Sequence, residues 1–286
     1  MNHSLKRLFA RALVVVAASL PLASFAAGGD EYPLDPFPID KLNDPASLQN
    51  GAKLFVNYCL SCHSASAMRY NRLQDIGLTD AQIKANLLFA GDKVGDQMTI
   101  AMRPSDAKEW FGAAPPDLSL VVRSRASPAG TGADWLFTYL RAYYRDETTA
   151  TGWNNAVFPN VGMPNVFWQL QGTRSATIEE VKAGADHHFT REVTLVDANG
   201  VATTQSEPVE GHPHAGRTIK LSAPEGGLQS RAEFDENMAD LVAYMTYMSD
   251  PTARTRTRLG VWVLLYLGLL FVAAWVLNKA FWKDVR

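Results

Sequence analysis

Apolar residues fall along this chain in three patterns. Leu259 to Leu277 is an unbroken run of 19 residues with no charge. As a helix it is about 28 Å long, near the hydrocarbon thickness of a bilayer. Arg254, Arg256 and Arg258 stand before it, Lys279, Lys283 and Arg286 after it, and Trp262, Trp275 and Trp282 near its ends. Apolar all round and basic at both ends, it predicts a membrane-spanning helix rather than a buried one. A shorter run, Ala12 to Leu22, follows Lys6, Arg7 and Arg11 and leads into Ala23-Ser24-Phe25-Ala26. It is too short to span comfortably and reads as a secretory signal peptide over 1–26, with a retained anchor as the alternative. A mitochondrial presequence, Arg- and Ser-rich and amphipathic, fits less well.

The third pattern is helical periodicity between these ends. Asp44-Pro45 predicts an N-cap followed by proline at the first helical position. Leu48, Ala52, Phe55 and Val56 then recur at helical spacing. A second amphipathic helix is predicted over Glu233 to Met248, with Met238, Leu241, Val242 and Met245 in its stripe and a stop at Ser249-Asp250-Pro251. Thr177 to Gln229 is long and lacks such periodicity, with a hairpin predicted at Asp197-Ala198-Asn199-Gly200.

Composition fits a folded chain, 286 residues at 47% hydrophobic and 20% charged. A net charge of −2 argues against a nucleic-acid binder. The ends, however, take nine of the 27 basic residues and one of the 29 acidic ones. The stretch from Ala27 to Ala253 therefore holds 18 basic and 28 acidic residues, a formal −10. Such a surface serves solubility, or steers a basic partner. The positive-inside rule, with three charges on each side, sets no orientation. The signal peptide does. It predicts a bacterial inner-membrane protein with 27–253 in the periplasm, a basic lead-in over 254–258, a span over 259–277, and 278–286 in the cytoplasm.

Both cysteines lie in Cys59-Leu60-Ser61-Cys62-His63. This is C-x-x-C-H, the attachment signature of c-type haem. Thiols three residues apart on a helical turn can reach both vinyl groups of one haem, and the next residue, His63, then becomes the proximal ligand. A thioredoxin-like redox pair would need a βαβ context, which is lacking around Cys59. A zinc site would need further ligands, and His187, His188, His212 and His214 lie far off in sequence.

The other axial position separates electron transfer from ligand binding. Met238, Met245 and Met248 read as packing or helix surface, and Met68 is too close to His63 to reach the opposite face. Met98, Met102 and Met163 remain. Met163 is favoured over Met102, because Gly162 and Pro164 flank it in an extended stretch and Phe158, Val161, Val166, Phe167 and Trp168 surround it. A ligand from among His187 to His214 is the weaker alternative.

At this point the sequence resembles the cytochrome c1 family, the haem subunits of cytochrome bc1 (quinol–cytochrome c oxidoreductase) complexes. The resemblance rests on Gly51 to Leu73 around the haem motif, on Ala114-Pro115-Pro116-Asp117-Leu118-Ser119 with Val122 to Arg125, on Phe158-Pro159 leading to Gly162-Met163-Pro164, and on the single tail helix. It implies one covalent haem c on Cys59 and Cys62, with His63 and Met163 on the iron. It further implies Pro115 and Pro116 near the ring, and Arg125, or else Arg123, on a propionate. The implied partners are a cytochrome b subunit, a Rieske iron–sulfur subunit as donor, and a soluble or membrane-bound cytochrome c as acceptor, in a dimeric complex. The implied activity is one-electron transfer in a respiratory chain, without bond chemistry on a substrate of its own. Two departures stand out: the family's proline-rich run after the methionine is here Met163-Pro164-Asn165-Val166, and no cysteine is left for the disulfide that some bacterial relatives carry. The expected fold is mainly α-helical, a c-type cytochrome domain with long loops, a small β-hairpin insertion over about 177–229 and one C-terminal transmembrane helix. The alternatives are a free-standing tethered monohaem shuttle and, with Met163 off the iron, an open-site haem sensor.

Overall fold

A computed structural model describes residues 32–183, 189–211 and 215–284. The segment read as a signal peptide, and His187, His188, His212 and His214, lie outside the described residues. Helix α1 (Pro45–Leu54) starts as its sequence dictates, with the Asp44 carboxylate accepting from the Ala46 and Ser47 amides and Pro45 in the first turn. Its last turn widens into a π turn over Phe55–Cys59 that delivers the haem motif. Strand β1 (Ala65–Arg69) follows, then α2 (Asp80–Asn86), β2 (Gln97–Met98), α3 (Pro104–Phe111), α4 (Val121–Ser124) and α5 (Gly132–Arg141). The short strands β3 (Tyr143–Arg145) and β4 (Trp153–Asn155) pair antiparallel, and α6 (Trp168–Gln171) and β5 (Gly172–Thr173) lead into the insertion.

The insertion is larger than a hairpin. Strands β6 (Ala176–Ala183), β7 (Phe189–Val196), β8 (Ala202–Val209) and β9 (Gly216–Leu221) form an antiparallel sheet in the order β8-β7-β6-β9. The expected turn does join β7 to β8. The Asp197 carboxylate accepts from the Asn199 and Val201 amides, and Gly200 sits at φ 100°. The fold is therefore mixed, helices with strands, rather than mainly α. Strand β8 is exposed almost throughout and β6 is half-buried along most of its length. Neither presents the alternating apolar face by which a strand is read from sequence.

After β10 (Glu225–Gly226), which pairs with β5, comes α7 (Arg231–Ser249), capped reciprocally by Ser230 and Glu233. Helices α1 and α7 cross at Gly51. A Cβ there would lie 2.0 Å from the Asp240 carbonyl oxygen and 2.7 Å from Tyr244 Cβ, so only glycine lets the backbones meet. Asn50 Nδ2 ties the crossing by donating to Asn237 Oδ1 and Asp240 Oδ2 at 2.8 and 2.9 Å. One apolar core gathers on this pair, with Phe55, Tyr70, Leu73, Met238, Leu241 and Tyr244 fully enclosed. A small second cluster of Tyr144, Ala176 and Val196 seats the inserted sheet.

Only Asp250–Thr252 separate α7 from α8 (Ala253–Phe281). Asp250 accepts from both terminal nitrogens of Arg256, and Arg123 stands 3.8 Å away. The basic lead-in is thus the first turn of α8. Thr255–Phe281 is long and apolar enough to cross a membrane, and no residue of its most apolar stretch is buried.

Candidate haem site

The haem motif closes as a tight turn, with the His63 and Cys62 amides donating to the Cys59 carbonyl at 2.9 and 3.1 Å. Cys59 is buried, Cys62 is half-buried, and both are free thiols. Burial, with Cys62 beside it, pushes the Cys59 thiol up to about 12. Among the described residues, no three His, Cys, Asp or Glu side chains gather as a metal site.

The orientation of His63 is set by a residue 53 positions on. Its Nδ1 lies 2.8 Å from the Pro116 carbonyl oxygen. A carbonyl only accepts, so Nδ1 carries the proton and Nε2 keeps its lone pair for a metal. Burial also lowers the imidazole pKa, which favours the neutral ligand form.

Asp117 builds the support for that carbonyl. Its carboxylate accepts from the Ser66 amide and hydroxyl at 2.8 and 2.6 Å, and from the Ser119 amide at 2.8 Å. Burial alone would raise its pKa, but these bonds hold it below the usual carboxylate range. The Leu118 amide donates to the Ser64 carbonyl at 2.8 Å, the Ile100 amide to the Ser64 hydroxyl at 3.2 Å. The Pro-Pro-Asp-Leu-Ser block is thereby stitched onto the residues just after His63. Pro116 is exposed and Pro115 half-buried.

Met163 is half-buried against the main core, and the Tyr139 hydroxyl donates to its sulfur at 3.6 Å. Two buried asparagines hold its loop. Asn154 Oδ1 accepts from the Asn160 amide, Asn155 Oδ1 from Val157 and Phe158, and Asn155 Nδ2 donates to the Tyr139 carbonyl. Asn160 takes the left-handed conformation, at φ 59°, that lets the loop turn. Val161 and Phe167 are buried, whereas Phe158 and Trp168 remain 44% and 51% exposed.

The other sulfurs are committed elsewhere or stand apart. Met98 is fully buried and accepts from the Tyr244 hydroxyl at 3.5 Å. Met68, Met238, Met245 and Met248 pack in the core, and Met102 is half-buried.

The two arginines diverge. The Arg125 guanidinium lies 4.5 Å from the Trp135 ring centre and 5.5 Å from that of Phe158, and Trp135 stacks on Tyr139 at 4.8 Å. Arg125 thus shares a cluster with Met163. Arg123 is instead engaged with Asp250 at the base of α8. Sequence reasoning missed Asp117, Tyr139, Asn154 and Asn155 as parts of the site. The pair of adjacent asparagines before a Pro- and Gly-bearing loop was the available signal, since asparagine side chains cap turns.

The donor set suits a covalent haem: two adjacent free thiols, an imidazole with its far nitrogen free, and a hydrogen-bonded thioether. A sequence profile described as the Cytochrome C1 family matches residues 38–174. A protein named cytochrome c1 from Allochromatium vinosum is 42% identical over 267 residues, covering 93% of this chain and 95% of its own. One named ammonia monooxygenase gamma subunit, from Nitrosomonas europaea, is 39% identical over 278 residues, covering 96% of this chain and all of its own. Cytochrome c1 from Rhodospirillum rubrum is 28% identical, covering 85% and 83% of the two chains.

Proposed function

This chain belongs to the cytochrome c1 family, the c-type haem proteins of respiratory electron transport, and on that premise we propose that it is the electron-transfer subunit of a quinol–cytochrome c oxidoreductase. The observation that carries the reading is the His63–Pro116 hydrogen bond, which frees Nε2 for iron and joins the haem motif to the Pro-Pro-Asp-Leu-Ser block. Bound haem would supply a one-electron couple at iron.

The roles of the chain follow. Cys59 and Cys62 would hold the group through two thioether links, formed by addition of each thiol to a vinyl group with no leaving group and no oxidant. His63 and Met163 would ligate its iron. The Tyr139 hydroxyl holds the Met163 thioether in place, which would leave the iron closed to exogenous ligands. Arg125, on its aromatic shelf, is the better placed of the two arginines to meet a propionate, because Asp250 already engages Arg123. Pro115 and Pro116 would lie near the ring, the Pro116 carbonyl holding His63. Electrons would come from a Rieske iron–sulfur subunit and leave to a soluble or membrane-bound cytochrome c. The tail helix would pack beside a cytochrome b subunit, in a dimeric complex, with the haem domain in the periplasm and residues 278–286 in the cytoplasm.

The test is purification from native membranes in mild detergent, followed by a reduced-minus-oxidised spectrum and a quinol-dependent cytochrome c reduction assay. Co-purifying b-type haem with activity supports the proposal. A c-type signal alone returns the chain to a free-standing tethered shuttle. The match to a protein named as a monooxygenase subunit favours one second reading, a c1-type cytochrome serving a different membrane oxidoreductase. In that case the c-type haem co-purifies with other subunits and the quinol-dependent activity is absent.

A further inference from the structure

A cleft of about 130 Å³ opens where Tyr32 and Asp35, the end of α5, the segment after β5 and the first turn of α7 meet. Nothing in the haem reading uses it. Three guanidinium groups enter. Arg141 is fully engaged, bonded to Asp35, to Asp235 at 3.2 Å and through Nε to the Phe137 carbonyl at 3.0 Å. Arg231 is mostly exposed and reaches Asp235 at 3.8 Å. Arg174 differs from both. Its Nε is sealed from solvent with no hydrogen-bond partner, and among the described residues no carboxylate forms an ion pair with it. Burial pulls its pKa down and Arg231 and Arg141 add to that, while Tyr32 and Asp235 oppose it from a distance.

Among the described residues that line the cleft, three guanidiniums against the carboxylates of Asp35 and Asp235 leave one positive charge over. Arg174 is half-buried; withdrawing a cation from water without an ion pair is costly, and a planar fork of N–H donors matches an oxyanion. A cleft this size holds about four waters' worth of volume, enough for a group of a few heavy atoms. We propose that it binds a small soluble oxyanion, of carboxylate or phosphate type, on Arg174, with Arg231 and Tyr32 at its rim. The 19 residues of α7 put about 28 Å of helix between Arg231 and the membrane anchor. None of the cleft's lining residues belongs to the tail helix, which favours a dissolved anion over a lipid headgroup.

Calorimetric titration of the haem-loaded full-length protein in detergent, at fixed ionic strength, tests this with sodium acetate and inorganic phosphate as probes. One saturable site is expected. Arg174→Gln should weaken it by at least about tenfold, and Arg231→Gln by severalfold, both with an unchanged c-type spectrum. Tighter acetate binding identifies a carboxylate site, tighter phosphate binding a phosphate site. Absence of saturable binding of either probe overturns the proposal, as does binding that neither substitution alters. Should Arg174→Gln fail to accumulate, the exposed Arg231→Gln decides between the same outcomes.

Discussion

Met163 reaches its place through contacts that are distant in sequence and short in space. Asn155, eight residues before it, fixes the loop, and Tyr139, 24 residues before it, grips the sulfur. The haem motif was legible because its chemistry is written in five consecutive residues. Tyr139 and Asn155 were not, because their roles exist only once α5 and β4 have packed. With Met163→Leu, covalent haem should remain, the potential should fall by about 0.2 V, within the roughly 0.8 V span that axial ligands set, and the reduced haem should bind carbon monoxide. An unchanged potential in a protein that still excludes carbon monoxide would assign the position to another ligand. Asp117 makes a separate prediction about pH. Its folded pKa is depressed, so its stabilising effect is present above the ordinary aspartate value of about 3.9 and fades as pH falls through the folded value. Asp117→Asn should cost about 1 kcal/mol at pH 7, the modest end because the group faces water, and should flatten the acid limb of the melting-temperature profile. Thermal melts between pH 3 and 7 measure both effects.

The helices carry their own punctuation, and it is obeyed. Asp44-Pro45 opens α1 and Asp250-Pro251 closes α7. Gly51 marks where they touch, with 2.0 Å between a hypothetical Cβ and the Asp240 carbonyl. Gly51→Ala therefore forces the helices apart. It should cost about 3 kcal/mol and lower the melting temperature by roughly 10 °C, without touching the proposed haem ligands. A melt within about 2 °C of the parent would mean that the crossing yields easily, since about 2–4 °C accompany each kcal/mol. The inserted sheet shows the opposite case. Its strands earn stability from backbone pairing and from cross-strand charges such as Arg191 with Glu179 and Glu207. With so little apolar surface to bury, its sequence carries a turn signal at Asp197–Gly200 and almost no strand signal.

The chain joins an acidic domain to an apolar helix. With 28 acidic against 18 basic residues between Ala27 and Ala253, electron delivery to a basic carrier should slow steadily as salt rises from about 10 to 200 mM, because screening shortens the reach of the field. Stopped-flow reduction of a basic cytochrome c across that range is the measurement, and a flat profile would remove the steering role. The joint between the two parts has a consequence for who moves. Three residues link α7 to α8, and Asp250 is clamped there by Arg256 and Arg123. A flexible linker lets an attached domain sweep a volume that grows with linker length. This joint gives almost none, so the redox domain stands at a fixed berth above the bilayer. Whatever ferries electrons to and from it must do the travelling.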